Sequence, residues 1–383
     1  MLIYFVCLFV VMGASLYIPP QDQQKRKSLF FFVVMFVGLI CGLRDMLGGF
    51  DNYIYGEIFD VTARELKGGT SVVNTTAYSL NTSELGYAFW NIGLGYVFRN
   101  RYLYFLTTSV VMYLILYRHF TKYSKYPFVA FFILFGIWYF FSYTYLRQVF
   151  AALIAWFAIP YAIDRKPVKF FLIVVLAASF HNSALLFGLL YFIAHYRFSR
   201  RTIILFFVVS LFLGFTPLGV ILMDFFGSGI NERKTDISLS GVGSARIEYI
   251  LESLFFMSII VYDYGKIPKD KYSLCFLNIS LLFLFILTFF VQFSDGGRMS
   301  WFFLIGIACT ISNILVRDVQ KPLIRIMLYV VMLLLYIRIV FAWGDLLSPY
   351  KTFLTNGVRS NDRIWEKYEY DQNYAKDKFY NMK

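Results

Sequence analysis

The residues best suited to chemistry stand where an apolar chain should not have them. His181 interrupts the run FFLIVVLAASFHNSALLFGLL, with Ser179, Asn182 and Ser183 around it. An imidazole in that position can take a proton or hold a hydroxyl group. Arg147 stands at the mouth of another apolar helix, LRQVFAALIAWFAIPYAI, after Tyr143, Thr144 and Tyr145. Its planar fork is a permanent cation able to bridge a pyrophosphate through two hydrogen bonds. Arg298, in QFSDGGRMSWFF, and Arg246, where segment 223–246 meets an apolar run, repeat the arrangement. Arg338 lies about four residues inside the last apolar run, a depth that calls for a partner or a cavity. Four arginines around one histidine suggest an anion held at an interface, with a base nearby.

A second constellation is LRDMLGGFDNYIYGEIFD, which brings Arg44, Asp45, Asp51, Tyr53, Glu57 and Asp60 together beside two glycines. A cation with carboxylates suits a sugar or a phosphate, and Asp51 is the second candidate base. The competing reading is an interfacial Arg44–Asp45 pair on a solvated loop. Glu84 precedes a short apolar helix and is expected to cap its positive end; facing a substrate is the alternative. Asp295 offers Arg298 a salt bridge, and Glu248 lies close to Arg246. His119 and His195 fall at span edges, where snorkelling accounts for them. No metal-like spacing of His, Cys or carboxylates is present, so neither a metal nor another cofactor is expected. No glycine-rich nucleotide fingerprint appears, which argues against ATP-driven transport.

These side chains need a membrane scaffold to hold them. The chain has 383 residues, 59% hydrophobic and 15% charged, with a mean hydropathy of +0.62. That composition describes an integral membrane protein along its whole length. The net charge of +13 reads as topology signals and lipid headgroups, and nucleic acid is not an expected partner. Cys7, Cys41, Cys275 and Cys309 all lie in apolar runs and read as buried free thiols.

Apolar spans fall at 2–18, 28–43, 102–118, 127–143, 146–163, 168–180, 183–196, 202–222, 247–263, 272–291, 299–316 and 322–342. The first is read as a retained span rather than a cleaved signal. Loops 19–28, 117–127, 163–169, 195–202, 263–271 and 317–325 each carry three Lys or Arg, which places them on the cytoplasmic side. The expected fold is an all-α polytopic membrane protein with about 11–12 transmembrane helices, outer-face loops and an interfacial helix. Residues 1–342 form a single transmembrane domain with outer loops at 44–101 and 223–246, and 343–383 form an outer tail. The run Leu85–Phe98 is too short to cross and reads as the interfacial or re-entrant helix.

Both flanks of the His181 run are basic, yet it holds only about 25 residues. Each limb of a there-and-back path is then about 12 residues, or roughly 18 Å, against a hydrocarbon core of roughly 30 Å. His181 is therefore expected at the apex of a short helical pair, below the outer surface. Polar groups at that depth are tolerated only against protein or a water-filled cavity.

The central stretch LRQVFAALIAWFAIPYAI, a basic turn and VLAASFHNSALLFGLL resembles the signature of the EpsG family of Wzy-type polysaccharide polymerases. RDMLGGFDNYIYGEIFD is similar to that family's segment after an early span, although GGFDNY departs from the usual Gly-Thr-Asp-Tyr order. SELGYAFWN, with Glu84 and Gly86, GGRMSWFF and the late PYK at Tyr350 also fit, so the resemblance runs over roughly residues 28–352. It implies a GT-C-like enzyme of the bacterial inner membrane, with its active site facing the periplasm. Such an enzyme joins oligosaccharide repeat units carried on undecaprenyl pyrophosphate and releases that carrier. The resemblance implies pyrophosphate or glycan contacts from Arg147, Arg298, Arg246, Arg44, Glu84 and Tyr53, a base at His181 or Asp51, and no metal. A chain-length regulator and a flippase are the partners it implies, besides the lipid-linked substrate and the bilayer. Alternatives are an O-antigen ligase-type transferase, which would need nearly the same residues, and a lipid-linked oligosaccharide transporter or flippase.

Overall fold

The computed structural model describes residues 1–17, 22–45, 48, 50–219, 221, 245–293, 296–317 and 322–354. Segment 222–244, Asp295 and the tail beyond 354 lie outside the described residues. The described helices are α-helical apart from short 3-10 turns, with one isolated bridge, and helical segments fall within the expected apolar spans as far as these are described. Five of these are long and apolar enough to cross a membrane: Arg101–Tyr123, Leu146–Ile163, Lys271–Phe289, Gly296–Leu315 and Pro322–Ala342. This is a polytopic membrane protein.

Helix starts follow local chemistry. Asp22 accepts hydrogen bonds from the amides of Gln24 and Lys25 and so caps Gln23–Gly42. Asn100, Ser199 and Asp270 cap Arg101–Tyr123, Arg200–Gly214 and Lys271–Phe289 in the same way. Pro127, Pro167 and Pro322 open three others at the one position where a missing amide proton costs nothing.

Two compact units are present. The first comprises 1–153, 177–182 and 326–383; the second comprises 154–176 and 183–325. In the first, Gln23–Gly42 lies along Arg101–Tyr123, close enough that a Cβ on Gly38 would fall 2.6 Å from the Tyr113 ring. Small residues permit such approaches between membrane helices. The expected span 127–143 is broken: helix Pro127–Trp138 gives way to a short Phe141–Thr144 turn, and a new helix starts at Leu146. Freed carbonyls at such a break need internal partners, and Arg44 donates to the Tyr143 carbonyl at 2.6 Å.

In the second unit, Lys271–Phe289 is central and buried from Cys275 to Leu284. A Cβ on Gly306 would lie 2.5 Å from the Ser280 amide, so this glycine lets Leu304–Arg317 sit directly on the central helix. Asn278 donates to the carbonyls of Ile193 at 2.6 Å and Tyr196 at 2.8 Å, which ties down the end of the short helical pair.

That pair has the expected proportions. Pro167–Ala178 forms one limb and Asn182–Ile193 the other, and Phe170 stacks on Phe187 between them. Arg165 closes the base by donating to the Tyr191 carbonyl at 2.8 Å. His181 stands in the turn.

The segment 44–101 departs from an open loop. It folds into helices Phe50–Lys67, Thr76–Leu80 and Leu85–Val97. The first buries Tyr55, Phe59 and Ala63, which recur every fourth residue. It also carries Asp60 into a buried ion pair with Arg101 at 2.5 Å.

Candidate functional site

The site is assembled inside the first unit from four segments distant in sequence. Arg147, on the first turn of Leu146–Ala155, donates from Nη1 to Glu84 Oε2 at 2.5 Å. Its Nε reaches the Tyr55 hydroxyl at 3.4 Å. The guanidinium also lies 5.7 Å from the ring centres of both Tyr55 and Tyr87, within cation–π range. Those two rings meet edge to face at 5.8 Å. The Arg147 side chain keeps 21% exposure while that of Glu84 keeps 3%. The cation is therefore anchored from within and open on one side.

The other oxygen of Glu84, Oε1, accepts the backbone N–H of Asn182 at 3.4 Å. Glu84 is at the cap position of Leu85–Val97, yet its side chain makes no capping bond. The capping expectation is corrected: the carboxylate turns to a full positive charge, a stronger attraction than the partial charge of a helix end. Beside it, the Tyr87 amide donates to the Ser179 carbonyl at 3.2 Å. A Cβ on Gly86 would fall 2.2 Å from Ser179 Oγ and 2.8 Å from the Phe180 ring. Glu84, Gly86 and Tyr87 thus form a seat on which the His181 turn rests. His181 is half-buried, and its own amide donates to the Ala177 carbonyl at 3.2 Å.

Tyr87 is held in turn by its hydroxyl contact with Tyr104 at 2.7 Å. Burial pushes the Tyr87 phenol well above its ordinary pKa, so it stays neutral beside the arginine. Asp51 lies in the first turn of Phe50–Lys67, half-buried and four residues before Tyr55, hence on the helix face that reaches Arg147. Tyr53, two residues after Asp51 on the same helix, is 2% exposed.

Arg44 has a different task. It is buried, with Nη1 on the Cys41 carbonyl at 2.5 Å and Nη2 on the Tyr143 carbonyl and on Asn52 Oδ1 at 3.3 Å. Its backbone bridges to Thr352, and the Asp45 amide donates to the Lys351 carbonyl at 3.0 Å. Tyr350 adds a bond to the Ile40 carbonyl at 2.8 Å. The residues 350–353 thereby form a strap over the C-terminal end of Gln23–Gly42. Arg44 joins that strap to the break before Arg147 and to the start of the Asp51 helix.

Arg246 and Arg298 belong to the second unit. Arg246 faces Glu248 at 3.7 Å and the Tyr249 ring at 5.9 Å. A Cβ on Gly297 would touch the same ring at 2.8 Å, so Tyr249 links the Arg246 and Arg298 segments. Arg338 lies on an exposed face of Pro322–Ala342. His119 does not snorkel: it is buried, with Nε2 2.8 Å from the Leu153 carbonyl and its ring stacked on Tyr123. His195 Nε2 is 3.1 Å from the Ala162 carbonyl. All four cysteines are buried free thiols.

Sequence reasoning overlooked Tyr55, Tyr87 and the Asn182 amide. A usable signal was present for Tyr55, which follows Asp51 by one helical turn.

The EpsG family matches residues 27–352, from the second helix to the strap, and so takes in every candidate residue above. The chain belongs to the EpsG family. Members of that family are Wzy-type polymerases, which supports a polysaccharide polymerase-type role in general for this EpsG protein. Its apolar helices and the family together make it a multi-pass membrane protein. No curated protein and no solved structure matches the chain.

Proposed function

We propose that this EpsG protein polymerises oligosaccharide repeat units carried on undecaprenyl pyrophosphate, at the periplasmic face of a bacterial inner membrane. The observation that carries the reading is Arg147, anchored by Glu84 beside the His181 turn and open on one side. In the reaction an acceptor sugar hydroxyl attacks the anomeric carbon of the donor glycan. The new bond is oxygen to C1; the bond broken joins C1 to the pyrophosphate oxygen, which leaves with the electron pair. The hydroxyl proton passes to a base.

Arg147 is the group assigned to the departing negative charge, where a preplaced cation is worth most. His181 is assigned as the base, with Asp51 as the competing group, because His181 sits on the turn that Glu84 seats. Arg246 and Arg298 are assigned as further contacts along a long, charged substrate. Arg44 is not retained for the anion, since its fork is committed to the Cys41 and Tyr143 carbonyls. A flippase that delivers the lipid-linked units and a chain-length regulator complete the proposal.

Gene deletion followed by glycan electrophoresis tests it. The expected product is a single repeat unit where the parent strain makes long chains. Unchanged chain length in the deletion strain, or bare acceptor with no repeat unit, would overturn the reading.

A further inference from the structure

The Glu84 carboxylate has two partners with different meanings. Oε2 holds the Arg147 guanidinium, and Oε1 holds the amide of Asn182, the residue after His181. The carboxylate is almost fully buried, whereas the arginine is partly open. An incoming anion therefore meets the arginine first and competes with Glu84 for the same fork. As the guanidinium turns toward two phosphate groups, it draws with it the carboxylate that it holds. It cannot shift without changing its hold on Asn182, because both bonds come from one rigid planar group.

We infer that Glu84 is a positioning residue that reports pyrophosphate binding at Arg147 to the His181 turn. The inference rests on the proposed function for the identity of the anion. With the site empty, Glu84 ties the turn down. With the pyrophosphate on Arg147, the carboxylate follows the turning guanidinium, its bond to Asn182 lengthens, and the turn can carry the imidazole toward the acceptor hydroxyl. Donor occupancy thus precedes placement of the base, which keeps the base out of position while the donor site is empty. The rest of the seat keeps the turn from unfolding meanwhile: the Tyr87 amide on the Ser179 carbonyl, and Gly86 against Ser179 and Phe180, do not involve the arginine.

Hydrogen exchange on the full chain in lipid nanodiscs tests this, with farnesyl pyrophosphate as probe and farnesyl monophosphate as control. In the wild type, the Asn182 amide should exchange several-fold faster at saturating pyrophosphate, and less so with the monophosphate. Glu84→Gln keeps the shape and the acceptor for Asn182 but removes the charge that Arg147 holds. It should bind the probe at least as tightly and show no change at Asn182. In turnover it should lower kcat by roughly 10- to 100-fold with little rise in donor KM, as a misplaced base does. A wild-type amide indifferent to bound probe, no binding of the probe, or the same response in Glu84→Gln would overturn the inference. The wild-type measurement stands alone if the variant does not fold. Polymer formation by the same nanodiscs reads the parent proposal separately. Release at Asn182 without polymer would sink that proposal and leave the coupling in place.

Discussion

Arg147 and Glu84 are 63 residues apart in sequence and meet at 2.5 Å. The contact joins the start of an apolar membrane helix to the start of the short helix Leu85–Val97. It is also the point from which the His181 turn is held, through Asn182. Loss of either partner leaves a charge facing a largely buried site.

Arg147→Ala and His181→Ala should each cut long-chain glycan by about 100-fold or more, the scale for losing a preplaced charge or a general base. Protein level in the membrane should stay near normal. Arg147→Lys should not rescue, because an ammonium cannot hold Glu84 and Tyr55 while offering a planar fork. Electrophoresis of the glycan alongside immunoblotting checks all three. Near-normal chain length in both alanine variants would remove this site from consideration.

Gly86→Ala tests the seat rather than the chemistry. The added methyl would collide with Ser179 Oγ and the Phe180 ring, a clash that costs about 1–3 kcal/mol where a core cannot yield. The expected result is an inserted protein with much shortened chains. A variant with full-length glycan would show that the turn does not need this seat.

The Asp60–Arg101 pair is buried on both sides, with 2% of each side chain exposed. Arg101→Ala alone should destabilise the protein by about 3–5 kcal/mol, since it strands a buried carboxylate. Replacing both by apolar residues, Asp60→Leu with Arg101→Met, should recover much of that. Thermal unfolding in detergent compares them. A double variant weaker than the single one would mean that the pair is more than a neutral substitute for apolar contact.

Orientation can be read with cysteine labels, because the four native thiols are buried and give little background. Ser71→Cys lies on the exposed link between helices Phe50–Lys67 and Thr76–Leu80, and Lys166→Cys on the exposed base of the short pair. An impermeant maleimide on intact spheroplasts should label the first and spare the second. The opposite pattern would invert the assignment of faces.

The apolar spans are legible in the sequence because lipid asks for little more than length and hydropathy, and basic loops set their limits. The short pair is legible for the same reason, from the distance between two basic flanks. Helix Phe50–Lys67 is harder to see, because its acids and tyrosines give it no apolar run. Only the recurrence of Tyr55, Phe59 and Ala63 marks its buried face. The break at Tyr139–Tyr145 is invisible to hydropathy, since apolar residues flank it and the Tyr143 carbonyl is met by Arg44 from far along the chain. Arg147 and His181 stand out as charges and polar groups in apolar surroundings. That Glu84 joins them is a matter of three-dimensional approach, which no spacing along the chain announces.

The strap at Tyr350–Phe353 also sets an order of events during synthesis. Tyr350 leaves the ribosome 310 residues after Ile40, the residue whose carbonyl it bonds. Arg44 and Asp45 therefore spend almost the whole of translation without their Thr352 and Lys351 partners. The C-terminal end of Gln23–Gly42 gains these bonds only once Pro322–Ala342 has been made. A chain stopped before Tyr350 would carry every candidate catalytic group and still lack the closure around Arg44.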